Sequence, residues 1–133
     1  MQTPNKAELL AAARDARGRA YAPYSKFSVG AALLTASGET ITGANVENAS
    51  FGLSMCAERI ALFSAVVAGH RSFAVLALVG PDGVAITPCG ACRQALAEFG
   101  SEIRIVREGL SDVTLRELLP EPFEGDAVGR TRV

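Results

Sequence analysis

The cysteines of this chain fall in two short clusters, Cys56-Ala57-Glu58-Arg59 and Pro88-Cys89-Gly90-Ala91-Cys92-Arg93. No other feature of the sequence restricts the fold as strongly. Three thiols leave one unpaired in any disulfide scheme. Three is also a ligand count that leaves one tetrahedral position of zinc open. For one cation to collect all three sulfurs, two segments distant in the chain have to meet. An open zinc position holds a water and lowers its pKa from about 15.7 to about 7. Glu58, two residues after Cys56, places a carboxylate where a proton carrier for that water is wanted.

Helix geometry narrows how the clusters meet. Cys89 and Cys92 are three apart and share one face of a helix, and Pro88 suits a helix start. Cys56 and Glu58 are two apart and converge only if Cys56 lies at the very N-terminus of its helix. The pattern therefore predicts two helix N-termini aimed at one ion. Each such end carries roughly half a positive charge and favours thiolate over thiol. Three thiolates on zinc leave one net negative charge, which a bound hydroxide would increase. Arg59 and Arg93, directly after the two clusters, are candidates to offset it.

At these residues the chain resembles the zinc-dependent nucleoside and nucleobase deaminases. C-A-E followed by P-C-x-x-C is similar to their signature, and a cysteine as first ligand is closer to the small homotetrameric cytidine deaminases. Further matches cover most of the chain: Tyr21-Ala22-Pro23-Tyr24-Ser25-Lys26-Phe27, Val29-Gly30-Ala31-Ala32-Leu33, and Gly43-Ala44-Asn45-Val46-Glu47-Asn48-Ala49. The resemblance implies a three-layer α/β/α fold with a mixed sheet of four to five strands. It also implies Zn2+ on Cys56, Cys89 and Cys92, Glu58 as proton carrier, and hydrolytic deamination of free cytidine and deoxycytidine in pyrimidine salvage. Phe27, by itself a core aromatic, becomes a pocket wall packed on the substrate. Asn45 and Glu47, by themselves a polar loop, become ribose-hydroxyl ligands. Phe51 and Phe123 reach a neighbouring subunit's pocket in a homotetramer. At the helix start, the backbone amide of Ala57 is a candidate for the ring oxygen. Arg59 is a candidate to hydrogen-bond a zinc thiolate, though a surface arginine reads equally well.

Composition excludes other classes. At 133 residues the length suits one domain spanning 1–133, large enough for a core without covalent staples. A net charge of −1 speaks against a sequence-independent grip on nucleic acid. No apolar run approaches the ~20 residues of a membrane span. Lys6, Glu8, Arg14 and Asp15 interrupt what would be the apolar core of a signal peptide. With unpaired cysteines, this points to a reducing cytoplasm.

Along the chain, Thr3-Pro4 reads as the N-cap and first position of a helix with an apolar stripe of Ala7, Leu10, Ala13 and Ala20. Residues 28–35 and 40–44 read as strands joined by a turn at Ala36-Ser37-Gly38. A helix is expected from Cys56 to about Ala68. Its apolar residues spread around more than one face, which suggests subunit contacts or burial within one monomer. His70 reads as a surface histidine. Residues 73–79 read as a central strand. A third helix carries Ala91, Ala95, Leu96 and Phe99 inward, and Ile103, Ile105 and Val106 form a short strand. Thr114 and Glu117 fit a capping box. Residues 107–112 are briefer than the family pattern, so a fifth strand is expected to be short or missing. Residues 125–133 read as a poorly ordered tail.

Three rivals stay open at this point. The same signature serves a deaminase acting on blasticidin S, or on tRNA or DNA. A structural zinc module would require a fourth protein ligand. A C-x-x-C redox protein would leave Cys56 and Glu58 unexplained.

Overall fold

The computed structural model describes residues 3–125. The expected tail lies outside them, save Gly125. The elements run in the order α1 (Lys6–Arg17), β1 (Gly30–Thr35), β2 (Thr40–Ala44), a 3-10 turn (Phe51–Leu53), α2 (Ala57–Val67), β3 (Phe73–Val79), α3 (Gly90–Ala97), β4 (Arg104–Arg107), β5 (Val113–Thr114) and α4 (Leu115–Leu118). The strands form one sheet in the order β2-β1-β3-β4-β5. β3 and β4 are parallel, and the other three pairings are antiparallel.

β1 is buried along its whole length, because side chains alternate between two covered faces. Ala32 and Leu34 join Ala77, Val79 and Val106 beneath Leu9 and Ala13 of α1. Ala31 and Leu33 join Leu76, Leu78 and Ile105 beneath Ala57, Ala61, Leu62 and Ala65 of α2 and Leu96 of α3. The sheet is thus the middle layer of three, as expected, with the thiol-bearing helices together on one side.

Some expectations are corrected and others hold. α1 starts later than Thr3-Pro4, because Asn5 is the better cap. Its side chain accepts from Glu8 N at 2.8 Å while Glu8 Oε1 accepts from Asn5 N at 3.1 Å, a reciprocal pair that Thr3 lacks. The buried residues of α1 are Leu9, Ala13 and Ala16, so only Ala13 of the expected stripe is buried; Ala7 is exposed, Leu10 half-buried and Ala20 beyond the helix. β1 begins at Gly30 rather than Ser28, since the Asn45 side chain, not a strand neighbour, takes Val29 N at 2.8 Å. On α3, Ala91 faces solvent while Cys92, Leu96 and Ala97 are buried. The fifth strand exists but is only two residues long. The capping box of Thr114 and Glu117 is present at α4. His70 lies away from the thiols and pairs with Glu39 at 2.7 Å.

Candidate active site

Cys56 is the N-cap of α2 and Cys89 the N-cap of α3. An N-cap residue has extended backbone, and its side chain projects over the helix end. Neither thiol is spent on a capping hydrogen bond, so both remain available. Cys92, on the first turn of α3, completes the group: the three sulfurs lie within 4.8 Å of one another. Cys56 Sγ is 3.8 Å from Cys89 Sγ, and Cys89 Sγ is 3.4 Å from Cys92 Sγ. Zinc–sulfur bonds of about 2.3 Å in tetrahedral geometry set sulfur separations near 3.8 Å. The spacing suits zinc ligands, and the three thiols are a group that could hold a metal ion. No other group of three or more His, Cys, Asp or Glu side chains among the described residues is arranged to hold a metal.

The charges near the sulfurs follow from the same geometry. The Cys56 thiol pKa is lowered to about 5, first by its hydrogen bond with Cys92 and then by Arg59. Cys92 is held above its ordinary range, by that same bond to Cys56 and by burial. Arg59 Nη2 donates to Cys56 Sγ at 3.5 Å, one helical turn along, and this contact raises the guanidinium's own pKa. Arg93 is used differently: its Nε donates to the Pro88 carbonyl at 2.7 Å and Nη1 to that of Leu118 at 2.9 Å. Of the two candidate arginines, only Arg59 hydrogen-bonds a ligand sulfur; Arg93 fastens α4 to the entry of α3.

Glu58 is 5% exposed. Its carboxyl pKa is raised from 4.5 to about 7, chiefly by burial, with the negative charge on Cys56 adding to it. It lines a cavity of about 540 Å³ together with Phe27, Asn45, Glu47, Cys56, Ala57 and Cys89. Of the residues singled out from the sequence, these share one pocket. Ser25, Val29, Ile86 and Thr87 complete its walls. Thr87 sits just before Pro88-Cys89, so its place beside the thiols is a signal readable in the sequence. Ile86 carries no such signal.

Asn45 and Glu47 stand on the wall with their polar atoms engaged. Asn45 Nδ2 donates to the Phe27 carbonyl at 2.8 Å, and its Oδ1 takes Val29 N. Glu47 Oε1 accepts from Tyr24 N at 3.0 Å and Ser25 N at 3.1 Å, and Oε2 accepts from the Ser25 hydroxyl. These bonds, the one to the Ser25 hydroxyl foremost, lower the Glu47 pKa. Both residues thus hold the 21–29 loop that presents Phe27. Phe51 and Phe123 are not part of this cavity. Phe51 is 74% exposed and meets the Tyr24 ring edge-on at 6.0 Å. Phe123 is 63% exposed, with Gln94 clamping its backbone: Phe123 N donates to Oε1 at 2.9 Å and Nε2 donates to its carbonyl at 2.7 Å.

Among the described residues, no helix is long and apolar enough to cross a membrane. The family described as "Cytidine and deoxycytidylate deaminase zinc-binding region" matches residues 3–107. A cytidine deaminase from Halalkalibacterium halodurans is 46% identical over 123 residues, spanning 89% of this chain and 93% of that protein. The crystal structure of a cytidine deaminase from Burkholderia pseudomallei superposes with a TM-score of 0.85 at 48% identity, covering 90% of this chain and 100% of that one. A cytidine deaminase structure from Mycobacterium tuberculosis gives a TM-score of 0.84 at 40% identity, covering 91% and 98% respectively.

Proposed function

The chain belongs to the cytidine and deoxycytidylate deaminase zinc-binding family, and from that membership we propose that it hydrolyses free cytidine and deoxycytidine to the uracil nucleosides and ammonia. The observation that carries this reading is the meeting of three sulfurs at two helix N-termini with a nearly dry carboxylate beside them in one cavity.

In this reading Cys56, Cys89 and Cys92 hold the zinc. The ion, when bound, supplies an acidified water. Glu58 would take up a proton from such a water and deliver it to ring nitrogen 3, opening carbon 4 to attack by the oxygen. It then carries the second proton to the amino group, which leaves as ammonia while the carbon–oxygen double bond forms. One carboxylate serves both transfers because the donor and acceptor atoms surround a single tetrahedral carbon. Its raised pKa suits a group that must hold and release a proton near neutrality. The Ala57 N–H, in the first turn of α2 on the cavity wall, binds the ring oxygen in this reading. Phe27 packs against the base. Asn45 and Glu47 receive the ribose hydroxyls while continuing to brace the 21–29 loop. Arg59 restrains the charge on the Cys56 sulfur.

Phe51 and Phe123, exposed here, complete a neighbouring subunit's pocket in a homotetramer. A cytoplasmic enzyme of pyrimidine salvage, in a reducing compartment, fits three cysteines with no disulfide among them.

The test is ammonia release from cytidine, deoxycytidine, blasticidin S and adenosine, with metal analysis of the same preparation. Turnover of both cytosine nucleosides with one zinc per chain is expected. Turnover of blasticidin S alone would move the substrate to that antibiotic. Zinc bound with no deamination of any of the four would leave a structural zinc module.

A further inference from the structure

Among the described residues, Arg107 is the one cationic side chain buried beyond nine-tenths, at 8% exposure. The chemistry above gives it no task. It closes β4 after Ile103, Ile105 and Val106, all buried, and pairs across the parallel ladder with the fully buried Leu78. Among the described residues, no carboxylate pairs with its guanidinium; the adjacent Glu108 is taken by Arg14. Instead Nη1 donates to Thr87 Oγ1 at 3.2 Å and Nη2 to the Ser111 carbonyl at 2.7 Å. Nε is buried without a partner. A guanidinium withdrawn from water with an N–H unsatisfied is costly, and an apolar side chain of similar volume would pack there at lower cost.

Thr87 connects this charge to the cavity. It is an exposed residue, lines the pocket beside Ile86 and Cys89, and lies at the end of the segment that leaves the sheet after β3 and returns to α3. A guanidinium has donors only. Thr87 Oγ1 must therefore accept from Arg107, and the hydroxyl proton is left free to point elsewhere. Among the described residues that hydroxyl has no protein acceptor.

Resting on the nucleoside reading above, we infer that Arg107 is a positioning residue that holds the Thr87 hydroxyl as a directed donor on the pocket wall, for an acceptor atom of the bound pyrimidine nucleoside. Its second bond, to the Ser111 carbonyl, ties that wall to the short 108–112 segment.

A double-mutant cycle on kcat/KM for cytidine tests it, with zinc content and Tm measured on every variant. Thr87→Val and Arg107→Met are each expected to lower kcat/KM about threefold to tenfold, the size of one lost hydrogen bond. The double variant should fall no further than the poorer single one. Zinc content should match the wild type throughout, and Thr87→Ser should recover most of the loss seen with Thr87→Val. If Arg107→Met does not fold, Arg107→Lys takes its place in the cycle. An unchanged Thr87→Val, or losses that simply multiply in the double variant, would overturn the inference, since an arginine that only stabilises the fold moves Tm without coupling to Thr87. The same proteins are titrated with uridine by calorimetry. A wild type that binds uridine yet does not deaminate cytidine fails the catalytic reading while the coupling is still read from binding. A wild type that binds no uridine and turns over no cytidine overturns both.

Discussion

At the scale of single residues, Glu58 shows how burial and chemistry oppose each other. Its folded-state pKa of about 7 lies above the ordinary 4.5. Without metal, the folded chain therefore keeps a proton that the unfolded chain has released between those two values. Glu58's own contribution to the stability of the metal-free protein falls as pH rises through that window, by up to about 1.4 kcal/mol per pH unit, and it opposes that of Cys56, whose thiol pKa is lowered to about 5 and which stabilises as pH rises. Glu58→Gln removes the titrating group. From pH 5 to pH 8, metal-free Glu58→Gln should therefore gain more stability, or lose less, than metal-free wild type in urea denaturation, and equal changes would refute the assignment. In the zinc-loaded enzyme the same substitution should keep stoichiometric zinc while turnover drops by orders of magnitude; unchanged turnover would remove Glu58 from the mechanism. The identity of these residues was legible in the sequence because three thiols and a carboxylate admit few roles. What Arg59 and Arg93 do was not. Both follow a ligand cluster, and only the course of each side chain separates a sulfur contact from two backbone carbonyls.

At the scale of elements, the site depends on how closely α2 can lie on the sheet. A Cβ built on Gly43 of β2 would come within 2.5 Å of the Ala57 carbonyl and of Ala61 N, both backbone atoms of α2. On Gly30 of β1 it would fall 1.8 Å from the Ala13 carbonyl of α1, on the other face. Neither neighbour is a flexible side chain, so the helix itself must move. Gly43→Ala and Gly30→Ala should each destabilise the fold by about 2–3 kcal/mol or more. Only Gly43→Ala displaces the helix whose first turn carries Cys56 and Glu58. It should weaken zinc retention under competing chelator, whereas Gly30→Ala should retain zinc as the wild type does; equal retention in both would show that the site tolerates movement of α2. Strand positions were readable from apolar periodicity, and 40–44 and 73–79 match the observed β2 and β3. The start of α1 was not, because the pattern pointed to Thr3-Pro4 while the helix is capped by Asn5. The outcome turned on a carboxylate reaching back from Glu8.

At the scale of the molecule, the parallel pairing of β3 with β4 places α3 beside α2 on one face, where a metal ion held by the three thiols would join their ends. Metal bound only by the folded state stabilises it in proportion to its occupancy. Chelation should lower Tm and abolish ammonia release together, and added zinc should restore both; loss of activity without a Tm change would mean the ion contributes nothing to folding. The outer face of α2 is left uncovered in the single chain, with Phe63 45% and Val67 88% exposed. In the homotetramer proposed above this face is buried, so Phe63→Asp should shift sedimentation from four chains to a smaller species. A wild type sedimenting as a single 13.8 kDa chain would refute the assembly.

The sequence by itself determined the candidate chemistry: which thiols are offered to a metal, which carboxylate is offered as proton carrier, and that two helix N-termini must face each other. Those conclusions need only side-chain identity and short spacing, which a linear chain carries. The tertiary structure alone decided what depends on distance between segments far apart in the chain. It gave Arg59 rather than Arg93 to a sulfur, engaged Asn45 and Glu47 with the loop before β1, left Phe51 and Phe123 outside this chain's own pocket, and set the buried charge of Arg107 against Thr87. Hydrogen bonds and desolvation act over a few ångströms in space, and a one-dimensional pattern does not encode which distant residues come that close.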